Sequence, residues 1–359
     1  MKEIKLIKRL VLYLFILMTL VVGTTDATGT PGLKFEYLTL RDGLSQSSVN
    51  CITQDSTGFL WFGTQSGLNR YDGYEFVVFK HNPFDHNSIS NDWVQVMVET
   101  EPGVLWLGTW TEGLNRFDTV NKKVTRFTHT PGDKNGLLHN SIRAIVRNSS
   151  GGLWIGTKGG LDYLAPDLNT FHHYIHDPAD TTSLSEPEIT AIYENNQGTI
   201  WVGTANGLNR MNRETGKFTR FFHNPADPGS LSGNNITAIM GDFRGNLWVG
   251  TKSSGLNLMV YGQDGLTHFR HDPKDSDTLC SDSISSLLVD GNGCVWVGTG
   301  NVETHGNGLT RLSFIENTGQ WELTNYEYRP HGISPTSLLS PYLSDRTILS
   351  IYEDRGGGL

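Results

Sequence analysis

Apolar residues come in short blocks broken by Gly, Asp and Asn, and the same block order returns down the chain. Residues 236 to 270 show the unit: an apolar stretch from Ile236 to Met240, then Gly241-Asp242-Phe243-Arg244-Gly245. Asn246-Leu247-Trp248-Val249-Gly250-Thr251 follows, then Ser254-Gly255-Leu256-Asn257-Leu258 and Leu266-Thr267-His268-Phe269-Arg270. Alternation with β-branched and aromatic residues favours strands, and Asp-x-x-Gly connections suit short hairpins. No segment beyond the N-terminus keeps apolar residues at helical spacing. The unit therefore reads as four strands.

The register mark of that unit is Gly-x-ϕ-Trp-ϕ-Gly-Thr (ϕ apolar), which recurs with Trp61, Trp106, Trp154, Trp201, Trp248 and Trp296, at intervals of 45, 48, 47, 47 and 48 residues. A unit repeated at that period cannot bury its own apolar face, so copies must stack on one another. Four strands per repeat make the blade of a β-propeller. Trp and Thr stand three apart on one strand and so face opposite sides of the blade, while the Gly between them shares the Trp side. The Trp is expected to wedge against the neighbouring blade, with the Gly leaving room for close approach.

The chain ends set the expected blade count. Phe35 to Leu40 aligns with the closing strand of a repeat, and Thr347-Ile348-Leu349-Ser350-Ile351-Tyr352-Glu353-Asp354-Arg355-Gly356 with the start of another. The expectation is an all-β, seven-bladed β-propeller of four-stranded blades over residues 35 to 359, six blades complete and the seventh, begun at 347, truncated at the C-terminus. An edge left open in this way is an aggregation liability.

Residues 1 to 27 read differently. Lys2, Lys5, Lys8 and Arg9 precede an apolar run from Leu10 to Val22, and Gly23, Thr24, Thr25 and Ala27 follow. This is the three-part layout of a secretory signal, with an uncleaved N-terminal anchor as the alternative. Either reading puts the propeller outside the cytoplasm, in a periplasmic or extracytoplasmic location.

Charge narrows the partners. The formal net charge is −9, and −11 once residues 1 to 27 are set aside. An acidic shell without a basic stripe argues against nucleic acid and anionic membrane surfaces, leaving the signal, the anchor or a later region as the route to a membrane. The three cysteines Cys51, Cys280 and Cys294 show no zinc spacing and do not indicate a disulfide framework.

Histidines recur at one phase, as His81, His129, His176, His223 and His271, often in His-Asp-Pro. Equivalent positions are rotated about the propeller axis, so they cannot converge on the single point a metal needs. Local turn bonding is the expected role. The Ser-Leu-Ser-like turns, including Ser183-Leu184-Ser185, offer no base or oxyanion donor that marks one copy as a nucleophile. No phosphate loop, His-Glu-x-x-His or Gly-x-Ser-x-Gly is found. The sequence leads to no catalytic residue, no metal and no cofactor.

Asp242 to Thr251 followed by Gly255-Leu256-Asn257, and Gly58 to Tyr74, resemble the two-component regulator propeller repeat. The resemblance runs over roughly residues 35 to 359. It implies the exported N-terminal sensor of a membrane-bound hybrid histidine kinase, or the sensor of a diguanylate cyclase, in which a second propeller, a β-sandwich, a membrane span and a signalling module follow. Virginiamycin-type lyase propellers share the period, but their Trp-Phe-Thr-Glu blade motif is absent. An exported lyase or hydrolase, and an adhesion or scaffold module, stay open as alternatives.

Side chains common to every blade are scaffold, so departures from the repeat are the informative ones. The residue after Gly-Thr reads Gln65, Trp110, Lys158, Ala205, Lys252 and Gly300. Trp110 and nearby Glu112 stand out, with Trp93 where the chain enters blade two. Blade six adds Asn301 to Asn307, containing His305, at the same turn. The expected ligand-binding set is Trp93, Trp110, Glu112, Lys158, Lys252 and His305. An aromatic ring beside carboxylate and amide groups suits a carbohydrate, so an oligosaccharide or other small molecule is the expected ligand. A second propeller or a homodimer is the expected protein partner.

Overall fold

The computed structural model describes residues 36–300, 306–327, 343 and 345–359; residues 1 to 27, expected as a signal or anchor, lie outside the described set. Six antiparallel four-stranded sheets follow one another along the chain. Blade one holds Val49–Gln54, Leu60–Thr64, Gly67–Tyr71 and Phe76–Phe79; blade two Val94–Glu101, Val104–Thr109, Leu114–Asp118 and Lys123–Phe127. Blade three is Ile142–Arg147, Leu153–Thr157, Leu161–Leu164 and Phe171–Tyr174; blade four Ile189–Glu194, Ile200–Thr204, Gly207–Asn212 and Lys217–Phe221. Blade five is Ile236–Gly241, Leu247–Thr251, Leu256–Met259 and Leu266–Phe269; blade six Ile284–Val289, Val295–Thr299, Gly308–Ile315 and Gln320–Glu327. From blade one to blade six, the first strand of each blade touches the first strand of the one that follows it in the chain, so these strands lie innermost.

The expectation of seven blades is overturned: among the described residues the propeller has six. The stretch from 347 keeps part of a repeat's chemistry. Ile348 packs against Gly298 as the first residues of other blades pack on their neighbours, and Asp354 Oδ1 accepts the N–H groups of Gly356 and Gly358 in a tight turn. Among the described residues it pairs with no second strand, and a ladder needs two. The segment instead bridges blades: the Gly291 N–H donates to Glu353 Oε2 in blade six, while Arg355 donates from its N–H to Gln54 Oε1 and from Nη1 to the Ser56 carbonyl in blade one. The closing strand expected over Phe35 to Leu40 is also not formed. Residues 36 to 39 are irregular and lead into a short 3₁₀ turn, Leu40–Asp42, capped by Thr39.

The core is a set of interfaces between blades. Trp154 of blade three packs with Ile189, Ile192, Ile200 and Val202 of blade four, and Trp106, Trp201 and Trp248 repeat the arrangement one blade forward. Every one of the six indoles is at least 93% buried, the largest exposure being 7%. The Gly two residues on makes this approach possible. A Cβ on Gly156, Gly203 or Gly250 would stand 2.5–2.6 Å from Cγ2 of the next blade's first isoleucine. Four indoles also bond within their own blade: Nε1 of Trp61, Trp248 and Trp296 donates to the first-turn Asp55, Asp242 and Asp290 at 2.7, 3.1 and 2.7 Å, and that of Trp106 to Thr100 Oγ1 at 3.1 Å.

Thr on the opposite face fixes the second hairpin. In all six blades its Oγ1 donates to the carbonyl of the Gly that opens the third strand, at 2.8–2.9 Å. Loops are tied to the blade they precede. Oδ1 of Asn69, Asn115, Asn209 and Asn257, all fully buried, accepts the N–H of Ser45, Ser90, Ser185 and Ser232 at 2.8–2.9 Å. The recurrent histidines close the same loops: Nδ1 of His81, His129, His176, His223 and His271 donates to a carbonyl eight residues on, at 2.6–2.8 Å. All three cysteines are buried and unbridged, and burial pushes the Cys51 thiol up to about 12.

Candidate functional site

Three positions per blade surround the axis on the face that carries the second-to-third-strand turns. One is the residue after Gly-Thr, whose N–H donates to the residue just before the first strand of the same blade: Trp110 to Trp93, Lys158 to Ser141, Ala205 to Glu188, Lys252 to Asn235 and Gly300 to Ser283, at 2.8–3.3 Å. That preceding residue is the second position. The third is a β-bulge one residue inside the first strand, where two residues oppose one and the strand turns a side chain toward the axis. It reads Asn50, Gln95, Arg143, Thr190, Thr237 and Ser285.

Small or amide side chains fill most of these positions, but one arc departs. Trp93 and Trp110 of blade two stack with ring centroids 4.7 Å apart and planes 11° from parallel. The guanidinium carbon of Arg143, from blade three, lies 4.0 Å over Trp110, and Lys158 Nζ 5.6 Å from it. Arg143 Nη2 in turn bonds Glu188 Oε1 of blade four at 3.1 Å, the two side chains being 18% and 38% exposed. Cation–π contacts of this kind are worth about 0.5–2 kcal/mol, more as the cation is desolvated. The arc is a four-layer chain: indole, indole, guanidinium, carboxylate.

This geometry changes the part Trp110 can play. An indole stacked at 4.7 Å and a guanidinium at 4.0 Å both cover its ring, so little of its face is left to a ligand. Further hydrogen-bonding capacity lies nearby, on the exposed Lys158, on the exposed Glu112 two residues along the chain, and on the half-exposed Glu188. Buried donors left over point the same way. Trp93 Nε1, Arg143 Nε, Ser141 Oγ, Thr190 Oγ1 and Thr237 Oγ1 are buried without a hydrogen-bond partner among the described residues, and all belong to the axial positions. An unsatisfied buried polar group costs about 1–3 kcal/mol. His139 sits behind the arc, its Nδ1 accepting the Ser141 N–H at 2.8 Å. Burial first, then the charges of His129, Lys158 and Arg143, hold it below the ordinary imidazole value, so it stays neutral and adds no cation.

Of the residues singled out from the sequence, Trp93, Trp110 and Lys158 are brought together, with Glu112 beside them. Lys252 occupies the same position two blades on, its N–H bonded to the Asn235 carbonyl at 2.9 Å. His305 lies outside the described residues. Arg143 and Glu188 were missed. Both were visible as departures in the columns on either side of the start of the first strand.

The two-component regulator propeller model matches residues 43–66, 136–159, 183–206, 230–253 and 278–301, the stretches around Trp61, Trp154, Trp201, Trp248 and Trp296. Those five stretches match the two-component regulator propeller repeat. Blade two falls outside the match, and its first turn is the shortened Glu101-Pro102-Gly103. Histidine kinase P4 of Formosa agariphila is 54% identical over 56 residues, which is 16% of this chain and 4% of that protein. Among solved structures, the extracellular domain of BT3049 from B. thetaiotaomicron, assigned to a hybrid two component system, superposes with a TM-score of 0.74 at 24% identity, covering 91% of this chain and 40% of that one. Virginiamycin B lyase from Staphylococcus aureus gives a TM-score of 0.57 at 13% identity over 81% of this chain and 87% of that one. At these identities the structures share the fold. The repeat chain thus spans well under half the length of the kinase and receptor proteins it resembles.

Among the described residues no helix is long and apolar enough to cross a membrane, and no group of three or more His, Cys, Asp and Glu could hold a metal ion.

Proposed function

We propose that this propeller is the extracytoplasmic ligand-sensing part of a two-component receptor of the hybrid histidine kinase type, and that the arc of blades two to four binds its ligand, a carbohydrate. The observation that carries the reading is the one-sided cluster of Trp93, Trp110, Arg143, Lys158 and Glu188 on a scaffold of two-component regulator propeller repeats. Sugar hydroxyls both donate and accept, so they suit an edge where an ammonium, two carboxylates and buried orphan donors meet. The ordered Trp–Trp–Arg–Glu chain presets those groups, which lowers the entropic cost of binding. Signalling then needs a ligand that favours one arrangement of two propellers over another, because only differential affinity shifts an equilibrium.

The test is calorimetry of the whole chain against neutral and uronate-containing oligosaccharides. One oligosaccharide is expected to bind, with Lys158→Ala and Glu112→Gln each weakening it about 3- to 10-fold, as suits one lost hydrogen bond. Both side chains are exposed, so the fold is preserved. Affinity unchanged in these variants and in Trp110→Ala removes the arc as the site. Turnover of the bound sugar replaces the sensor reading with an enzyme.

A further inference from the structure

The opposite face carries the first-to-second-strand and third-to-fourth-strand turns, and there blades four and five enclose a cavity of about 570 Å³. That volume falls within the roughly 300–1,000 Å³ of small-molecule sites. Its walls hold three departures from the repeat. Tyr193 stands where other first strands have Thr53, Val98, Val146, Met240 and Leu288. Phe243 is the aromatic member of a turn position otherwise filled by Ser56, Ser149, Asn196 and Gly291, and Tyr261 lies in the enlarged turn of blade five. Phe243 is 76% and Tyr261 66% exposed.

Tyr193 is held in place by its neighbour. Its phenol lies over Gly241 of blade five so closely that a Cβ there would collide with the ring carbon and hydroxyl. The corresponding residues in other blades are Gln54, Arg147, Glu194 and Val289, so the tyrosine and the glycine depart together. Burial first, then the Asp242 charge, raises the phenol above its ordinary value and keeps it a proton donor. No hydrogen bond among the described residues engages its hydroxyl.

Two of the three charged groups of the wall, Asp242 and Arg244, are already paired. Asp242 Oδ1 accepts the N–H groups of Arg244 and Asn246, and its Oδ2 accepts from Trp248 Nε1 and Asn246 Nδ2. Arg244 pairs with Glu316 and stacks over Phe314, and Arg210 lies over Trp201 and Phe221. What faces the cavity unengaged is neutral: the Tyr193 hydroxyl and the side-chain amides of Asn196, Gln197 and Gln263, around two open aromatic rings. Amides and a phenol match hydroxyls that donate and accept, and the negative faces of aromatic rings match the slightly positive C–H face of a pyranose. Only the Arg210 guanidinium, which lies over rings and has no carboxylate beside it among the described residues, could meet a charged ligand, against four neutral groups that match a sugar.

We propose that the cavity between blades four and five is a second binding site, separate from the axial arc, for an uncharged pyranose unit of an oligosaccharide. Calorimetry of the whole chain against uncharged oligosaccharides of glucose, galactose, mannose and xylose tests it. One of these is expected to bind, and Phe243→Ala and Tyr261→Ala each to weaken it about 3- to 10-fold, the range of an aromatic contact. Gly241→Ala should weaken it too by displacing Tyr193, while Trp110→Ala leaves it within about twofold. Fluorescence-detected unfolding midpoints unchanged in Phe243→Ala and Tyr261→Ala show that any loss is local. The proposal is overturned if none of the four oligosaccharides binds, or if binding survives both aromatic substitutions. It is equally overturned if Trp110→Ala alone abolishes binding, a result that favours the axial arc.

Discussion

Replacing Gly203 by alanine is expected to loosen the interface between blades four and five. The added Cβ would stand 2.6 Å from Ile236 Cγ2, 3.0 Å from Ile236 Cβ and 3.3 Å from Ile239 Cδ1. Carbon atoms pack best at about 3.5–4.0 Å, so roughly 1 Å of overlap must be relieved by moving one blade against the next. Ile236 is fully buried and cannot swing away. Overpacking of this kind costs about 1–3 kcal/mol. Ile236→Ala removes the obstructing methyl but leaves a cavity worth about 2–5 kcal/mol. In the double variant the new methyl fills part of that cavity, so the combined loss should fall short of the sum by about 0.5–3 kcal/mol. Urea unfolding followed by tryptophan fluorescence measures all three, with Trp201 reporting directly on this interface. A Gly203→Ala midpoint equal to the parent's, or strict additivity in the cycle, would refute the idea that these glycines are spacers between blades.

Two further changes test the scaffold. Thr204 Oγ1 donates to the Gly207 carbonyl at 2.9 Å, accepts the Asn206 N–H at 3.2 Å and meets Ser185 Oγ at 2.9 Å, all in a fully buried position. Thr204→Val should therefore cost about 1–3 kcal/mol in urea unfolding, and a loss below about 0.5 kcal/mol would count against the latch. In blade three, Asp162 replaces the buried asparagine of its neighbours and bonds His173 Nδ1 at 2.6 Å. The bond to Asp162 raises His173 above 6.5, and burial raises Asp162 above 3.8. Both groups hold protons more tightly when folded, so their contribution is complete at low pH and is lost as pH rises through the folded values. Asp162→Asn should flatten this dependence, so the parent loses stability relative to the variant between pH 5.5 and 8.5; a constant difference over that range refutes it.

The packing logic was legible because each element is stated six times. Trp248, Gly250 and Thr251 make three different contacts, and every copy of the triplet demands the same three. Blade number was not legible, because the turn chemistry at Asp354 closes as it does in complete blades, whether or not a paired strand stands beside it. Such signals are local, and a sheet is not. The axial arc was half visible. Comparing only the residue after Gly-Thr exposes Trp110 and Lys158, whereas the bulge column that singles out Arg143 lies on another strand. That Arg143 packs on the ring of Trp110 follows from neighbouring blades meeting, which no single column records.

A rotationally repeated scaffold presents the same groups to every direction, so a ligand without that symmetry can be recognised only where departures coincide. They coincide twice, and blade four contributes to both places. Glu188 immediately precedes the first strand of that blade, and Tyr193 is its fifth residue. Extended chain rises about 3.4 Å per residue, which puts roughly 17 Å between them along the strand. That span exceeds the reach of one sugar ring, and the strand between, with Ile189 and Ile192 buried, is closed to a ligand threading through. Each face must then take its own occupant. Losses from Lys158→Ala and Phe243→Ala should accordingly fall on different ligands, or on different steps of one two-site titration, and a single transition weakened equally by both would show that this separation of the faces is mistaken.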